Sequence, residues 1–587
     1  MCGIAGVFAY ANDAPRVRER ELVAIRDAMA ARGPDGTGEW FAEDGRVGFG
    51  HRRLSIIDLR AIADQPMRLT RTDLRIVFNG EIYNYKTLKA ELEAEGAVFA
   101  TNSDTEVLLH LYARHGRAML GRLRGMYALA IHDPANGGMF LARDPFGIKP
   151  LYLADDGKTL RFASQVKALL AADAPDTAPD PAGHAGFFVW GHVPDPYTLY
   201  RGIRALPAGT SIWVDAKGVS KPAPFFDLVE ALRGAGKSTD LREAVVDTVR
   251  HHMIADVKVG VFLSAGIDST VLAGIAAETD AGQLDTVTLG FDAYRGTEND
   301  ETVLAEEFAR ARGTHHRTLW IGRDAFAAER ANLFAAMDQP TVDGINTYFV
   351  SQAAKRAGLK VALSGLGGDE IFAGYPGFTQ IPSLVSRAAP FGFLGGAFRA
   401  LTQSWIGAVT SPKYAGLLEY GRDYPGAYLL RRALHMPWEI EGLIGAKLAR
   451  EGLDALDLPR KLDGGLDNLP TGRLKVSALE LANYMRDRLL RDSDWAGMAH
   501  SIEIRVPFVD PVFLARVAPS LARENAPGKR ALGETPHPPL PPEILDRPKT
   551  GFVVPVREWL MGDAAPESNL RGLRGWARAV HREFVAA

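Results

Sequence analysis

The sequence predicts two domains of different fold class: an α+β sandwich, followed by an α/β doubly wound parallel sheet with a helical C-terminal part. A chain of 587 residues is too long for one hydrophobic core. Short strands bounded by Gly, Pro, Asp or Asn dominate its beginning, whereas strands and helices alternate from about residue 240 onward. We expect the first domain to span residues 1–215 and the second residues 235–587.

Strands with helices packed outside them predict the sandwich. Short segments rich in β-branched or aromatic residues predict strands at 48–56, 74–84, 126–133 and 139–144. Apolar residues at helical spacing predict helices at 85–96 and 104–116, and each of these segments ends on a glycine, as helix C-termini often do.

In the second domain, alternation predicts the parallel sheet. A helix at 240–253 leads to strands predicted at 257–264, 284–291, 315–322 and 360–365, with helices between them. Such sheets bind ligands at the carboxyl ends of their strands.

The most apolar stretch of the helical C-terminal part spans residues 391–409. Arg399, Gln403 and Ser404 interrupt it, so it fails as a membrane span. We predict a core or interface helix instead.

Composition excludes several classes of partner. The 68 basic and 71 acidic residues are interspersed and give a net charge of -3, so we expect neither a nucleic-acid nor a membrane partner. One cysteine excludes an intramolecular disulfide, and no signal peptide is recognisable. These two features predict a cytoplasmic protein.

The single cysteine stands at position 2, in "MCGIAGVF". Unpaired cysteines are often small buried hydrophobes, which is one interpretation. The other is a nucleophile, because removal of Met1 would give Cys2 an α-amino group with a pKa of about 8 that could act as the base of its own thiol. The residues alone leave both interpretations open.

Two loops at predicted strand ends indicate a nucleotide site. "VFLSAGIDST" (261–270) opens a helix and suits phosphate binding, although the same residues also suit a plain turn with a helix cap. "LSGLGGDEIFAGY" (363–375) adds glycines and acidic side chains after another strand. Asp268 and Asp369 would then share Mg²⁺ with ATP oxygens. The Walker and dinucleotide-binding spacings are both absent.

Motifs of the first domain resemble the class II glutamine amidotransferase domain. They are "MCGIAGVF", "RGPDGTGEW" (32–40), "GHRRLSIIDL" (50–59), "FNGEIYNY" (78–85), "NSDTEVLL" (102–109), "RDPFGIKPLY" (143–152) and "FASQVKAL" (162–169). The resemblance implies an N-terminal nucleophile hydrolase fold. It also implies that Cys2 attacks the side-chain amide of glutamine and forms a thioester and ammonia.

The same resemblance implies roles for five further residues. Asn79 and Gly80 match the donors that stabilise the oxyanion. Arg53 matches the residue that binds the glutamine α-carboxylate, a task suited to its forked guanidinium. Glu81 and Asp104, together with Arg53 and Asn79, match the glutamine-binding positions, where these two carboxylates recognise the ammonium group.

Motifs of the second domain resemble the ATP-pyrophosphatase domain of glutamine-hydrolysing asparagine synthetases. They are "FLSAGIDS" (262–269), "LSGLGGDE" (363–370), "SIEIRVPFVD" (501–510) and "RPKTGF" (547–552). The resemblance implies ATP and Mg²⁺ as cofactors, an acyl-adenylate with release of pyrophosphate, and an internal tunnel for ammonia. The implied ATP-binding residues are Leu263, Ser264, Gly266, Asp268, Ser269, Leu289, Ser364, Gly365 and Lys549. The implied metal ligands are Asp268 and Asp369.

The acceptor of the ammonia stays open at this stage. L-aspartate is the leading prediction; the alternatives are another carboxylate, such as a sugar uronate or a biosynthetic acid, and a regulatory protein without turnover. Leu366 stands where asparagine-forming relatives commonly have glutamate, and Glu370 is a candidate substitute. Asp338 and Asp343 are candidates for acceptor recognition. A homodimer is compatible with the sequence.

Overall fold

Two stacked antiparallel sheets open the chain. The computed structural model describes residues 2–172, 175–234, 236–279, 284–548, 559 and 573–586. In chain order its strands are β1 (Gly3–Ala9), β2 (Gly36–Phe41), β3 (Val47–Arg53), β4 (Met67–Arg68), β5 (Arg75–Ile82), β6 (Gly125–Asp133), β7 (Gly138–Arg143), β8 (Tyr152–Asp155), β9 (Thr159–Ala163), β10 (Arg204–Ala205), β11 (Thr210–Asp215), β12 (Gly218–Val219), β13 (Ala223–Pro224), β14 (Val259–Phe262), β15 (Asp285–Phe291), β16 (His315–Ile321), β17 (Val361–Leu363) and β18 (Glu503–Arg505).

The first sheet has the order β10-β8-β9-β1-β3-β2, and the second has the order β12-β11-β7-β6-β5-β4, with β13 paired to β11. Buried side chains from both sheets, such as Phe8, Phe49, Val77 and Leu141, pack between them. The helices of this part are Glu19–Asp27, Tyr85–Ala94, Asp104–His115, Val166–Leu170 and Pro181–Trp190. This arrangement is the predicted α+β sandwich.

The four predicted strands and two predicted helices of the sandwich are all present, within a few residues. The helix Asp104–His115 begins where it does because the Ser103 hydroxyl accepts a hydrogen bond from the Thr105 N–H at 3.2 Å. The domain boundary at residue 215 stays a prediction. Strands β12 and β13 lie beyond it and still pair with β11.

The third sheet is parallel, in the order β16-β15-β14-β17-β18. The chain runs outward from β14 to β16 and then returns to β17 on the other side of β14. The strand order therefore reverses between β14 and β17, which is where open α/β sheets place their ligands. The helices around this sheet are Leu228–Arg233, Leu241–His252, Ile267–Thr279, Thr302–Ala311, Arg323–Ala336, Ile345–Arg356 and Gly368–Ile371.

The C-terminal part is helical, as predicted. Its helices are Gly377–Ala388, Gly395–Thr402, Ile406–Val409, Leu417–Tyr420, Tyr424–Arg432, Glu441–Ile444, Ala446–Leu456, Leu458–Asp463, Gly472–Leu479, Glu480–Leu490 (with π-type turns), Arg491–Met498, Pro511–Leu521, Lys529–Gly533, Pro542–Leu545 and Arg574–Ala586. Short 3₁₀ turns occur at Ala30–Arg32, Ala61–Ala63, Gly116–Arg122, Pro134–Asn136, Asp292–Tyr294, Ala389–Leu394, Pro412–Gly416, Pro437–Glu439 and Leu466–Asn468. No helix among the described residues is long and apolar enough to cross a bilayer.

For the segment 391–409, predicted as a core or interface helix, the core alternative is wrong, and the interface alternative stays a prediction. The segment forms a 3₁₀ turn and two short helices, Gly395–Thr402 and Ile406–Val409, and most of its large apolar side chains are exposed. Apolar composition alone does not place a segment in the core, because burial also requires a layer of structure on its other side.

Candidate active site

The first candidate site is a small cavity at the start of β1. Its volume is about 30 Å³, enough for about one water molecule. The sequence-predicted residues in its wall are Cys2, Arg53, Gly80, Glu81 and Asp104. These five residues come from four separate stretches of the sequence and meet at one cavity.

Cys2 lies in this wall with 9% of its surface exposed. Its backbone N–H donates to the Asn79 side-chain oxygen Oδ1 at 3.0 Å, and its Sγ lies 3.9 Å from the Leu54 carbonyl oxygen. Burial raises the pKa of the Cys2 thiol. The resting thiol is therefore protonated, and a base must remove its proton before it can attack.

Asn79 and Gly80 lie on β5, beside the cysteine. Among the described residues, the buried Asn79 Nδ2 has no hydrogen-bond partner, so this donor is available to a ligand. A Cβ atom at position 80 would lie 2.1 Å from the Met126 carbonyl oxygen on β6. Only glycine allows β5 and β6 to pair so closely at this point.

The charged side chains of the cavity already have protein partners. Arg53 donates to the Asp64 carboxylate at 2.6 Å and to the Arg60 carbonyl oxygen at 3.0 Å, so a ligand carboxylate would have to replace these contacts. Asp104 accepts the Ile82 N–H at 3.1 Å, and burial raises the pKa of its carboxyl to about 6. Glu81 lies 3.4 Å from the guanidinium of Arg505.

The second candidate site is a cavity of about 480 Å³ at the carboxyl ends of β14 and β17. Its wall includes all but one of the predicted ATP and metal residues: Leu263, Ser264, Gly266, Asp268, Ser269, Leu289, Ser364, Gly365 and Asp369. Lys549 lies outside the described residues. The Ser264 and Ser269 hydroxyls are 2.8 Å apart and hold the first loop in shape.

A lysine that sequence reasoning missed joins the two predicted metal ligands. The Lys529 ammonium contacts the Asp369 carboxylate at 2.7 Å and also binds the Asp268 carboxylate. Burial acts to lower the pKa of Lys529, but the two carboxylates outweigh it and raise that pKa. Lys529 follows "NAPG" at the start of the short helix Lys529–Gly533 and belongs to no recognised motif, so the sequence carried no signal for it.

Two glycines make room for these carboxylates. A Cβ atom at Gly368 would lie 2.3 Å from Asp268 Oδ1, and one at Gly374 would lie 1.9 Å from Asp369 Oδ1. Two carboxylates converging on one cation suit Mg²⁺, which binds one or two protein carboxylates together with substrate phosphates. No group of three or more metal-ligating side chains occurs among the described residues, so phosphate oxygens would complete the coordination.

Leu366 and Glu370 also line the second cavity. Glu370 is buried and accepts a hydrogen bond from the Tyr375 hydroxyl at 2.8 Å. Burial, reinforced by the neighbouring Asp369, raises the pKa of Glu370 to about 7. A carboxyl group with this pKa can accept and return a proton near neutral pH.

Asp338 and Asp343 do not line this cavity, so its wall gives no support to the hypothesis that they recognise the acceptor, which stays a hypothesis. The Asp338 carboxylate accepts the backbone N–H groups of Val166 and Lys167, both at 3.0 Å, and so caps a helix of the first domain. Asp343 pairs with Arg488 at 2.9 Å. Sequence position beside the second loop was not enough to bring either side chain to the site.

Two buried arginines connect the cavities. Arg32 donates to the Cys2 carbonyl oxygen at 3.1 Å and forms a two-point contact, at 2.6 and 3.1 Å, with Asp494. Asp494 follows Ser493, which lines the second cavity. Arg505 contacts Glu81 in the first cavity, and its carbonyl oxygen accepts the Ser364 N–H of the second at 2.8 Å.

Comparison with known proteins gives a consistent result over nearly the whole chain. Residues 1–226 match the glutamine amidotransferase domain family, and residues 240–586 match the asparagine synthase family. A Mycobacterium tuberculosis (strain ATCC 25618 / H37Rv) relative is 35% identical over 95% of this chain and 88% of its own length. Glutamine-hydrolysing asparagine synthetase 1 of Bacillus subtilis (strain 168) is 32% identical over 96% of this chain and 88% of its own length.

Asparagine synthetase B of Escherichia coli (strain K12), also glutamine-hydrolysing, is 31% identical over 65% of this chain and 66% of its own length. The two matched regions follow one another along this chain, and the two cavities fall one in each. The chain therefore belongs to the glutamine-hydrolysing asparagine synthetase family and is an amidotransferase with a synthetase domain.

Proposed function

We propose that this protein uses ATP to convert L-aspartate to L-asparagine with ammonia taken from glutamine. The observation that carries the proposal is the pairing of a cysteine cavity with an acid-lined, glycine-rich cavity at a sheet switch point, joined through Arg32 and Arg505. We place the reaction in the cytoplasm because the chain has a single cysteine, which suits a reducing compartment.

In the first half-reaction, Cys2 Sγ attacks the side-chain carbonyl carbon of glutamine. The carbon–nitrogen bond breaks, and the thiol proton leaves with the nitrogen as ammonia. Asn79 Nδ2 and the Gly80 N–H donate to the oxyanion, and the unpartnered state of Nδ2 supports this role. Water then hydrolyses the thioester and releases glutamate. Arg53, Glu81 and Asp104 hold the glutamine backbone groups.

In the second half-reaction, a carboxylate oxygen of the acceptor attacks the α-phosphorus of ATP, and the bond to pyrophosphate breaks. Mg²⁺ held by Asp268 and Asp369 would neutralise phosphate charge during this step. Ammonia then attacks the acyl carbon, and AMP leaves. We assign Lys529 to the phosphate charge and Glu370 to the proton that ammonia loses, because Glu370 has a pKa of about 7.

The acceptor is tested by pyrophosphate release from ATP, Mg²⁺ and glutamine with a panel of carboxylic acids. We expect L-aspartate to give release well above the no-acceptor rate. We also expect Leu366→Glu to retain aspartate-dependent release, because Leu366 lines the cavity but Glu370 supplies the titratable carboxyl group.

Glu370→Gln serves as the comparison, since it removes the carboxyl group at constant volume. We expect it to lower asparagine formation by roughly 10²–10⁴-fold. Pyrophosphate release with a sugar uronate or another acid, but not with aspartate, would show that aspartate is not the acceptor. The assignment as an amidotransferase would still stand. Binding of glutamine and ATP with no turnover on any acid would favour a regulatory protein.

Weakening the contact between Arg32 and Asp494 is expected to impair glutamine use more than ammonia use. In Asp494→Asn the Arg32 guanidinium loses its buried counter-ion. Because Arg32 also donates to the Cys2 carbonyl oxygen, the position of Cys2 is then less well fixed. We expect glutamine-dependent synthesis to fall by about 10–100-fold, whereas synthesis from ammonium salts changes less than threefold. Both rates are read from asparagine formation.

Glu21→Gln is the matched control for this variant. The Glu21–Arg161 pair is also buried, with a contact of 2.5 Å, and lies in the first domain without touching Cys2. It should leave the ratio of glutamine-dependent to ammonia-dependent synthesis unchanged. If both rates fell equally in Asp494→Asn, Asp494 would stabilise the fold without a specific role in glutamine use.

A further inference from the structure

The Lys529 ammonium lies at the point that a metal ion shared by Asp268 and Asp369 would need. It contacts the Asp369 carboxylate at 2.7 Å and also binds the Asp268 carboxylate, so one nitrogen atom joins both groups. Mg²⁺ binds carboxylate oxygens at roughly 2.0–2.1 Å. An ion bound by both carboxylates therefore needs the space between them that the ammonium fills, and the two cations compete for that space.

The residues around Lys529 favour this position of its ammonium. A Cβ atom at Gly374 would lie 2.5 Å from Lys529 Cε and 1.9 Å from Asp369 Oδ1, so glycine at this position leaves room for the lysine and the carboxylate together. The side chains of Lys529, Asp268 and Asp369 are only 17% to 21% exposed. Solvent therefore screens the attraction between them only in part.

The backbone that carries Lys529 is anchored, whereas its side chain is long enough to move. Lys529 is the first residue of the helix Lys529–Gly533. Just before this helix, the Ala526 carbonyl oxygen accepts a hydrogen bond from Arg473 Nη1 at 3.1 Å. The ammonium itself is a compact charge on a flexible four-carbon chain. It can therefore change partners while the helix stays in place.

The charges in the second cavity make metal binding depend on the nucleotide. A metal ion that enters alone takes both carboxylates from the ammonium and then stands beside it as a like charge, which is unfavourable. Phosphate oxygens are strong acceptors for an ammonium group. Ser264 and Gly266, two residues of the predicted phosphate loop, line the same cavity as Lys529. The ammonium can therefore exchange carboxylate oxygens for phosphate oxygens without leaving the cavity.

We propose that Lys529 couples metal binding to nucleotide binding. Its ammonium keeps the position between Asp268 and Asp369 until the phosphates of ATP draw it away and a divalent cation takes its place. This inference rests on the metal role that we propose for the two aspartates. Coupling of this kind is reciprocal, so the nucleotide strengthens metal binding by the same factor by which the metal strengthens nucleotide binding.

Mn²⁺ binding without turnover tests the proposal, with electron paramagnetic resonance as the readout. We expect Lys529→Met to bind Mn²⁺ alone about 10–100-fold more tightly than the wild type, the equivalent of one hydrogen bond to a charged group. α,β-Methylene-ATP, which cannot release pyrophosphate, should strengthen Mn²⁺ binding more in the wild type than in Lys529→Met. Mg²⁺ alone should raise the unfolding temperature of Lys529→Met more than that of the wild type, because tighter binding stabilises the folded state further.

Lys360→Met is the matched control. Lys360 contacts Asp35 at 2.7 Å, the same length as the contact between Lys529 and Asp369, but it precedes β17 and so lies at the end of that strand away from the cavity. We expect it to leave the Mn²⁺ affinity unchanged. Adding Asp369→Asn to Lys529→Met should remove the tight Mn²⁺ binding, because one of the two carboxylates is then lost.

The outcomes separate the coupling from the metal role on which it rests. Equal Mn²⁺ affinity of the wild type and Lys529→Met, with binding strengthened by the nucleotide analogue in both, overturns the coupling and leaves the metal role standing. Tight Mn²⁺ binding that survives Asp369→Asn lies elsewhere in the protein and also overturns the coupling. If neither the wild type nor Lys529→Met binds Mn²⁺ with the nucleotide analogue present, the metal role of the two aspartates fails and the coupling fails with it.

Discussion

Replacing Cys2 with alanine is expected to abolish glutamine hydrolysis while leaving synthesis from ammonium salts. The thiol is the only sulfur nucleophile in the chain, it lies in the first cavity, and its backbone is fixed by Asn79 and Arg32. Loss of a covalent nucleophile costs roughly 10⁴-fold or more in rate. Glutamate release measures the first activity, and pyrophosphate release with ammonium chloride measures the second.

Asn79→Ala provides a graded comparison for the cysteine variant. Loss of one oxyanion donor costs about 10²–10³-fold, so this variant should hydrolyse glutamine slowly but measurably. A tag or a retained Met in front of Cys2 should act like the alanine substitution, because it moves the α-amino group away from the thiol. Glutamate release at the wild-type rate from Cys2→Ala would remove Cys2 from the mechanism.

Local sequence signals were sufficient for most of the fold. The strands around Arg75–Ile82 and Gly125–Asp133 carry the residue types that favour strands, and the helix Asp104–His115 has a serine cap, so each segment specifies its own structure. The parallel sheet followed from alternation, because parallel strands need a crossover element between them. Its carboxyl edge then placed the two predicted nucleotide loops beside one another.

Contacts between distant residues could not be predicted in this way. Arg32 and Asp494 are 462 positions apart, and Lys529 is 261 positions from Asp268. No local pattern specifies such pairs, because they depend on how two domains and a helical region pack together. The family resemblance placed Lys549, which lies outside the described residues, among the ATP-binding residues and gave no indication of Lys529, which the structure brings between the carboxylates of Asp268 and Asp369.

Local sequence patterns also could not predict which side chains are buried. The segment 391–409 has the composition of a core helix but lies on the surface. Glu370, in contrast, is of a residue type that is usually exposed, but it is buried. The raised pKa of Glu370 follows from that burial, so it could not be read from the sequence.

Asp268→Asn is expected to lower ATP-dependent pyrophosphate release by about 10²–10³-fold, the size of effect seen when one charged or polar group is removed from a reacting centre. The substitution removes a negative charge at nearly constant volume. Of the two carboxylates that contact the Lys529 ammonium, Asp268 and Asp369, only that of Asp369 then remains. The substitution also removes one of the two carboxylates proposed to hold Mg²⁺. Glutamine hydrolysis should persist, because Asp268 is absent from the wall of the first cavity.

Asp324→Asn is the matched control, because it removes the same charge from an exposed position of the same domain. It should leave pyrophosphate release unchanged. Raising Mg²⁺ tests the metal role separately: if Asp268 is a ligand, excess Mg²⁺ should restore part of the activity of Asp268→Asn, since weaker binding is offset by mass action. It should not rescue Lys529→Met, which keeps both carboxylates but loses the cation that meets phosphate charge. Comparable loss of pyrophosphate release and glutamine hydrolysis in Asp268→Asn would point to misfolding and withdraw the assignment.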